Sequence, residues 1–179
     1  LSSSSAASDV YKRQDMTLDM PAVNLVEYLA LGKAQEVSDK FPSDLIIGAD
    51  TFIVYKGEKL GKPKSEQEAL DLLKRLSGKT IEVISGVAIL HKESKFKNIF
   101  HTISTITMRD IPEEFINMYI STGIPYERAA TISVQDIGGR VIKKMTGDYN
   151  NILGLPLYDL LDRLYAVSYT HLRAHETRG

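Results

Sequence analysis

The apolar residues change their period several times along the chain, and each change marks an element. Residues 22–38 place Val26, Leu29, Ala30 and Val37 on one stripe at helical spacing, which predicts a helix with one inward face. Residues 44–55 (DLIIGADTFIVY) form a β-branched run broken by polar residues, which reads as a buried strand. Lys56-Gly57 turns the chain into residues 58–60, and Gly61-Lys62-Pro63 is a loop. Ser65 and Glu68 have capping-box spacing ahead of a second helix with Ala69, Leu72, Leu73 and Leu76 inside, ended by Gly78. Residues 80–90 and 101–109 predict two more strands. Asp110 is read as the cap of a third helix that stops before Gly123. Residues 141–145 predict a short strand and Gly147-Asp148 a turn. A last helix from Pro156 carries Leu157, Leu160, Leu161 and Leu164 on one side. The alternation predicts an α/β domain whose mixed, twisted sheet is flanked by helices, without internal repeats.

The two ends break this pattern. Residues 1–15 are Ser-rich with little apolar content, and residues 167–179 carry basic residues without a period; both resemble translated adapter sequence. They are read as a non-native or disordered leader and tail around a domain at 16–166. A metal role for His171 and His175, despite their i,i+4 spacing, is set aside with the tail.

Composition narrows the function classes. The 179 residues are 43% hydrophobic and 25% charged, as in one ordinary globular domain. A formal charge of −1 provides no general attraction to a nucleic-acid polymer or an anionic membrane, so any phosphate must be bound by a few placed cations. The chain contains no cysteine, which excludes disulfides, thiolate catalysis and thiolate-bound zinc. No apolar run approaches the roughly 20 residues of a membrane-crossing helix. A cytoplasmic protein is the expectation.

Five residues stand out against this background. Asp50 lies in an apolar run, where an unpaired carboxylate would cost about several kcal/mol. It needs a cation, a metal or hydrogen-bond donors, either as a satisfied aspartate at a strand bulge or as a base or magnesium ligand at a strand end. Lys62 sits between a glycine, which permits close backbone approach, and a proline, which stiffens the turn; it is either a solvated loop lysine or a phosphate ligand. Lys33 falls on the inward stripe of the first helix, so it either snorkels outward or enters a cleft to meet an anion. Gln135, before Asp136-Ile137-Gly138-Gly139, is a surface amide or a reader of a base edge. Thr51 reads equally as a strand-forming choice or a site residue. Tyr149-Asn150-Asn151 reads as a turn and helix entry, with Asn151 capping or facing the site.

Taken in order, these stretches resemble the Maf family of nucleoside triphosphate pyrophosphatases. The matching segments are Gly48-Ala49-Asp50-Thr51, Leu60-Gly61-Lys62-Pro63, Leu76-Ser77-Gly78-Lys79, Val83-Ile84-Ser85-Gly86-Val87-Ala88, Ser133-Val134-Gln135 and the run from Gly147 to Leu157. The resemblance covers about residues 29–164. It implies a Maf/ITPase-like fold and a hydrolase that uses a divalent metal, Mg or Mn, to split a nucleoside triphosphate into monophosphate and pyrophosphate. It makes Asp50 the proton acceptor for the attacking water and a metal ligand, gives phosphates to Lys33 and Lys62, and gives base choice to Thr51 and Gln135. The pairing of Ala-Asp-Thr with Gln is similar to the branch acting on dTTP and UTP. The implied partner is a nucleoside triphosphate, with room for a homodimer.

The chain also departs from that pattern. The family's opening strand and Ser-x-Ser-Pro-Arg-Arg segment have no counterpart, so the reading is of a domain truncated at its N-terminus, missing its first strand and helix, whose activity is in question. The family's Gly-Gly-Tyr-Gly-Ile-Gln stretch is here Ala130-Thr131-Ile132-Ser133-Val134-Gln135, and a usual histidine strand reads Thr80-Ile81-Glu82. Two other readings stand beside the enzyme: a non-catalytic remnant that binds nucleotide or serves as an interaction module, and the Maf part of a methyltransferase-like fusion.

Overall fold

A computed structural model describes residues 19–127 and 129–176, with side chains to residue 166 except that of Glu127. The expected leader at 1–15 and the side chains of His171 and His175 lie outside the described residues. Helix α1 (Ala22–Lys40) leads into strands β1 (Ile46–Tyr55) and β2 (Glu58–Leu60), helix α2 (Glu66–Leu76), and strands β3 (Thr80–His91) and β4 (Phe96–Met108). Helix α3 (Glu113–Ser121), three 3-10 turns, strand β5 (Ile142–Thr146), the single-turn helix α4 (Tyr149–Ile152) and helix α5 (Leu157–Glu176) complete the order.

The strands form one sheet in the order β2-β1-β3-β4-β5, flanked by helices, which is the α/β class that the pattern predicts. Its neighbouring strands are all antiparallel, where the alternation of elements suggested mixed directions. The reason is local. Lys56 and Gly57 both adopt positive φ (50° and 81°), the geometry of a two-residue hairpin turn, so β2 folds straight back on β1. A second hairpin joins β3 to β4, and β4 starts at Phe96, five residues before its expected 101, because ladder pairing from His91↔Phe96 carries the polar Lys97 and Asn98.

Alternation puts Gly48, Asp50, Phe52 and Val54 on the α1 face of β1, and Ala49, Thr51 and Ile53 on the other. Two glycines let α1 lie directly on the sheet. A methyl group at Gly48 would sit 2.4 Å from the Ala30 carbonyl oxygen and 2.8 Å from the Ala34 nitrogen, and one at Gly86 would sit 2.4 Å from the Val26 carbonyl. On that face Leu25, Val26 and Leu29 pack against Phe52, Val54 and Ile84. The opposite face carries the main core, where Leu73 and Leu76 of α2 and Ile116 and Tyr119 of α3 meet Ile81, Val83 and Ile106.

Several local expectations change. Ser65 caps α2, with the Glu68 amide donating to Ser65 Oγ at 3.1 Å, but the return bond of the expected capping box is shifted by one residue: the Glu68 carboxylate accepts from the Lys64 amide at 2.8 Å. Asp110 does not cap α3: the helix starts after Pro112, without a side-chain cap, and Asp110 Oδ1 packs against Gly78 instead. In α5, Leu160 is buried and Leu164 packs beside it, whereas Leu157 and Leu161 are exposed. That helix runs on to Glu176.

Candidate active site

The site forms where β1 loses its outer neighbour. β2 pairs only with Ile53, Val54 and Tyr55, so among the described residues the outer edge of Ile46–Phe52 has no strand partner. Beyond Leu60 the chain continues along this edge, and the antiparallel register carries Gly61 and Lys62 toward Phe52 and Thr51.

Two cavities meet around that edge. One, of about 340 Å³, is lined by Lys33, Asp50, Thr51, Gly61 and Lys62 over an apolar floor that includes Leu29 and Phe52. The other, of about 300 Å³, has Thr51, Ser133, Gln135 and Gly154 above Val83 and Ile106. Thr51, Ile53 and Ala129 line both, so the two form one bent cleft with Thr51 at the bend. All five residues singled out in the sequence line this cleft.

At its charged end Lys33 and Asp50 form an ion pair, each largely buried. The Lys33 ammonium also donates to the Ala49 carbonyl at 3.1 Å. Lys33 therefore turns into the cleft rather than out to solvent, and Asp50 is a paired carboxylate. Lys62 is exposed and makes no ion pair among the described residues, so a cation faces the same space without an internal partner.

At the other end the Thr51 hydroxyl lies 2.8 Å from the buried Ser85 hydroxyl and 3.1 Å from the Gly154 carbonyl. Gln135 projects into solvent at the rim, its backbone amide donating to Ser133 Oγ at 3.2 Å. Asn151 neither caps nor faces the cleft. It is fully buried, and its side-chain amide donates to the Val83 carbonyl and to Ser104 Oγ, both at 3.0 Å, while Asp148 caps α4. These bonds fasten the segment to the sheet and set Gly154 over Thr51.

The ends are joined by residues 129–131, where the Ala130 amide donates to the Gly61 carbonyl at 3.1 Å. Ala130 and Thr131 both have positive φ (53° and 67°), a conformation that costs side-chain-bearing residues roughly 1–3 kcal/mol each. They occupy the positions where the family pattern has Gly-Gly. The cleft thus keeps a glycine-type backbone path without the glycines.

Sequence reasoning missed Ser85, Gly154 and this bridge as parts of the site. A serine inside the apolar strand Val83–Ala88 was the available signal, since a buried hydroxyl requires a partner. The strain at Ala130 and Thr131 leaves no mark in residue type.

The fold and cleft define an α/β protein with a carboxylate and two lysines at one end of a two-part cavity and neutral polar groups at the other. A model of the Maf-like protein family matches residues 3–167, and the chain belongs to that family. The match begins inside residues 1–15. The chain is 40% identical over 148 residues to a dTTP/UTP pyrophosphatase of Alkaliphilus metalliredigens, covering 82% of this chain and 76% of that protein. It is 39% identical over 152 residues to a dTTP/UTP pyrophosphatase of Dictyoglomus turgidum, covering 84% and 78%. A similar protein from Geobacillus with the same description is 41% identical over 132 residues, covering 74% and 70%.

Proposed function

We propose that this chain is a nucleoside triphosphate pyrophosphatase that hydrolyses dTTP- and UTP-like nucleotides to monophosphate and pyrophosphate. The observation that carries the reading is the bent cleft: Lys33, Asp50 and Lys62 share one cavity, and Thr51 leads from it into the cavity of Gln135. A triphosphate tail needs the first and a pyrimidine the second.

In this reading the triphosphate enters beside Lys62, which is free to meet it, and draws the Lys33 ammonium from Asp50 onto phosphate oxygens. The freed Asp50 carboxylate accepts a proton from water as its oxygen bonds to the α-phosphorus. The bond from that phosphorus to the bridging oxygen breaks, and pyrophosphate leaves while the lysines neutralise its charge. Thr51 and Gln135 hold the base.

A divalent ion, Mg or Mn, fits this donor set in one way. Among the described residues no three acidic or histidine side chains are grouped to hold a metal, and Asp50 is the carboxylate of the charged cavity. Asp50 and substrate phosphate oxygens would hold the ion together, as magnesium sites at nucleotides do. When bound, it supplies Lewis-acid stabilisation of the charge developing on the phosphate oxygens.

The catalytic unit in this reading is residues 16–166, working in the cytoplasm on a free nucleotide rather than on a nucleic-acid polymer or membrane, with room for a homodimer. No helix among the described residues is long and apolar enough to cross a membrane. Incubation with dTTP, UTP and CTP in the presence of magnesium, with pyrophosphate and orthophosphate measured separately, tests the reading. Pyrophosphate and monophosphate in equal amounts are expected from dTTP and UTP. Orthophosphate as the first product, or no release from any triphosphate, overturns it.

A further inference from the structure

Three side chains carry the polar groups of the Gln135 cavity, namely Thr51, Ser133 and Gln135 itself; the other residues lining it are apolar or glycine. Their hydrogen bonding differs. Thr51 is tied to the Ser85 hydroxyl and to the Gly154 carbonyl, at 2.8 and 3.1 Å. The Gln135 side chain projects into solvent at the rim. Ser133 is half-buried between Ile132 and Val134, which line the same cavity. Its Oγ accepts from the Gln135 backbone amide at 3.2 Å, the one hydrogen bond that this hydroxyl makes among the described residues.

A serine hydroxyl has one proton to give and two lone pairs to offer. The Gln135 amide takes one lone pair and holds the oxygen against the turn, so the proton stays unclaimed by the protein in the wall of the cavity. Solvent accepts such a proton while the cavity is open. A flat ring that fills the cavity displaces that solvent and must supply an acceptor itself, because a donor left unpaired in a closed place is costly.

We infer that Ser133 is a specificity-determining residue that donates its hydroxyl proton to a ring carbonyl oxygen of the bound base. This rests on the pyrophosphatase reading and adds a contact that the resemblance does not supply. The family pattern has glycine at this position, and glycine has no side-chain donor. Uracil and thymine each offer two ring carbonyls and adenine offers none, so the contact favours a class of ring: a site built around a hydrogen bond rejects the ring that cannot make it. The Gln135 amide carries both donor and acceptor on an exposed side chain and can turn over to suit either kind of edge. The Ser133 oxygen, pinned by a backbone amide, cannot follow it.

The test measures kcat/KM for UTP, 2-thio-UTP and 4-thio-UTP in wild-type, Ser133→Ala and Ser133→Cys proteins, with thermal melting as a check on folding. Sulfur is a poor acceptor in place of a carbonyl oxygen. In the wild-type protein the compound altered at the recognised carbonyl is expected to be about 5- to 100-fold poorer than UTP, an arm that does not depend on any variant folding. In Ser133→Ala, which has no donor, and in Ser133→Cys, which keeps the size with a weak one, the same compound comes within about twofold of UTP. A serine that served the structure alone would slow all three substrates by one factor and leave their ratios unchanged. The inference is overturned if neither thio compound is penalised in the wild-type protein, or if the penalty survives in Ser133→Ala. It is overturned equally if Ser133→Cys retains the penalty, because size rather than the donated proton would then be responsible. Absence of turnover with UTP would strike the pyrophosphatase reading instead; the same ratios are then read from the dissociation constants of UMP, 2-thio-UMP and 4-thio-UMP in wild-type and Ser133→Ala proteins, where equal wild-type affinities overturn the inference.

Discussion

Lys33 of α1 and Asp50 of β1 close an ion pair across the helix–sheet interface, and the same ammonium donates to the Ala49 carbonyl at 3.1 Å. One side chain thus neutralises the part-buried carboxylate and ties the helix to the strand edge. Lys33→Met keeps the length of the side chain and removes its charge. It is expected to cost about 1–3 kcal/mol of stability, because Asp50 is left without its cation, and to raise KM for the triphosphate. Denaturant unfolding and steady-state kinetics of the one variant check both.

Gly48 determines whether that pair can form at all. A methyl group there collides with the backbone of Ala30 and Ala34 at 2.4 and 2.8 Å, and helix backbone cannot yield as a flexible side chain does. Gly48→Ala is expected to push α1 off the sheet, destabilise the protein by about 2–4 kcal/mol and carry Lys33 away from Asp50. Activity should then fall further than in Gly57→Ala, whose added methyl meets no atom within 4 Å and whose strain at φ 81° stays in the β1–β2 turn.

The strained bridge gives a prediction of opposite sign. Thr131 is β-branched, buried and at φ 67°, and its hydroxyl reaches back to the adjacent Ala130 carbonyl at 2.5 Å. The same strain at Ala130, fully buried at φ 53°, can be relieved at the loss of one methyl alone. Ala130→Gly releases roughly 1–3 kcal/mol of backbone strain and loses a buried methyl worth about 0.8 kcal/mol. A net gain of about 1 kcal/mol is expected, seen as a rise in Tm of about 2–4 °C. A fall in Tm would mean that packing of the alanine methyl outweighs its strain.

The apolar period located α1 and β1 and put Lys33 on the inward stripe, because helix and strand periodicity follow from backbone geometry alone. The isolated carboxylate in β1 was visible for the same reason. That Asp50 and Lys33 pair with each other was not, since the pairing depends on α1 approaching to the distance that Gly48 and Gly86 allow. Asp110 misled: its type suits a helix cap, but Pro112 holds the cap position and the carboxylate packs at Gly78. The Ser85–Thr51–Gly154 chain joins residues up to 103 positions apart, which no local pattern records.

On the surface, hydrogen bonding to Arg75 holds the Glu58 carboxyl below its usual 4.5, against a small opposing effect of burial and with added charge attraction from the same arginine. A carboxyl whose folded pKa is depressed contributes stability above its unfolded pKa and loses it as pH falls through the folded value. The contribution is therefore complete above about 4.5 and disappears in more acid solution. Both partners are exposed, so the effect is small. Glu58→Gln should leave Tm at neutral pH nearly unchanged and flatten the acid limb of a Tm-against-pH curve slightly.

The account stands on one carboxylate that takes a proton from water while two ammonium groups hold the phosphates. Pyrophosphate release from UTP by Asp50→Asn, beside the wild-type protein at matched folding, tests it most directly. The account predicts a loss of turnover of at least about a hundredfold, the usual contribution of a positioned base, with UTP still bound. Turnover within a few-fold of wild type would contradict it, because an amide cannot accept that proton.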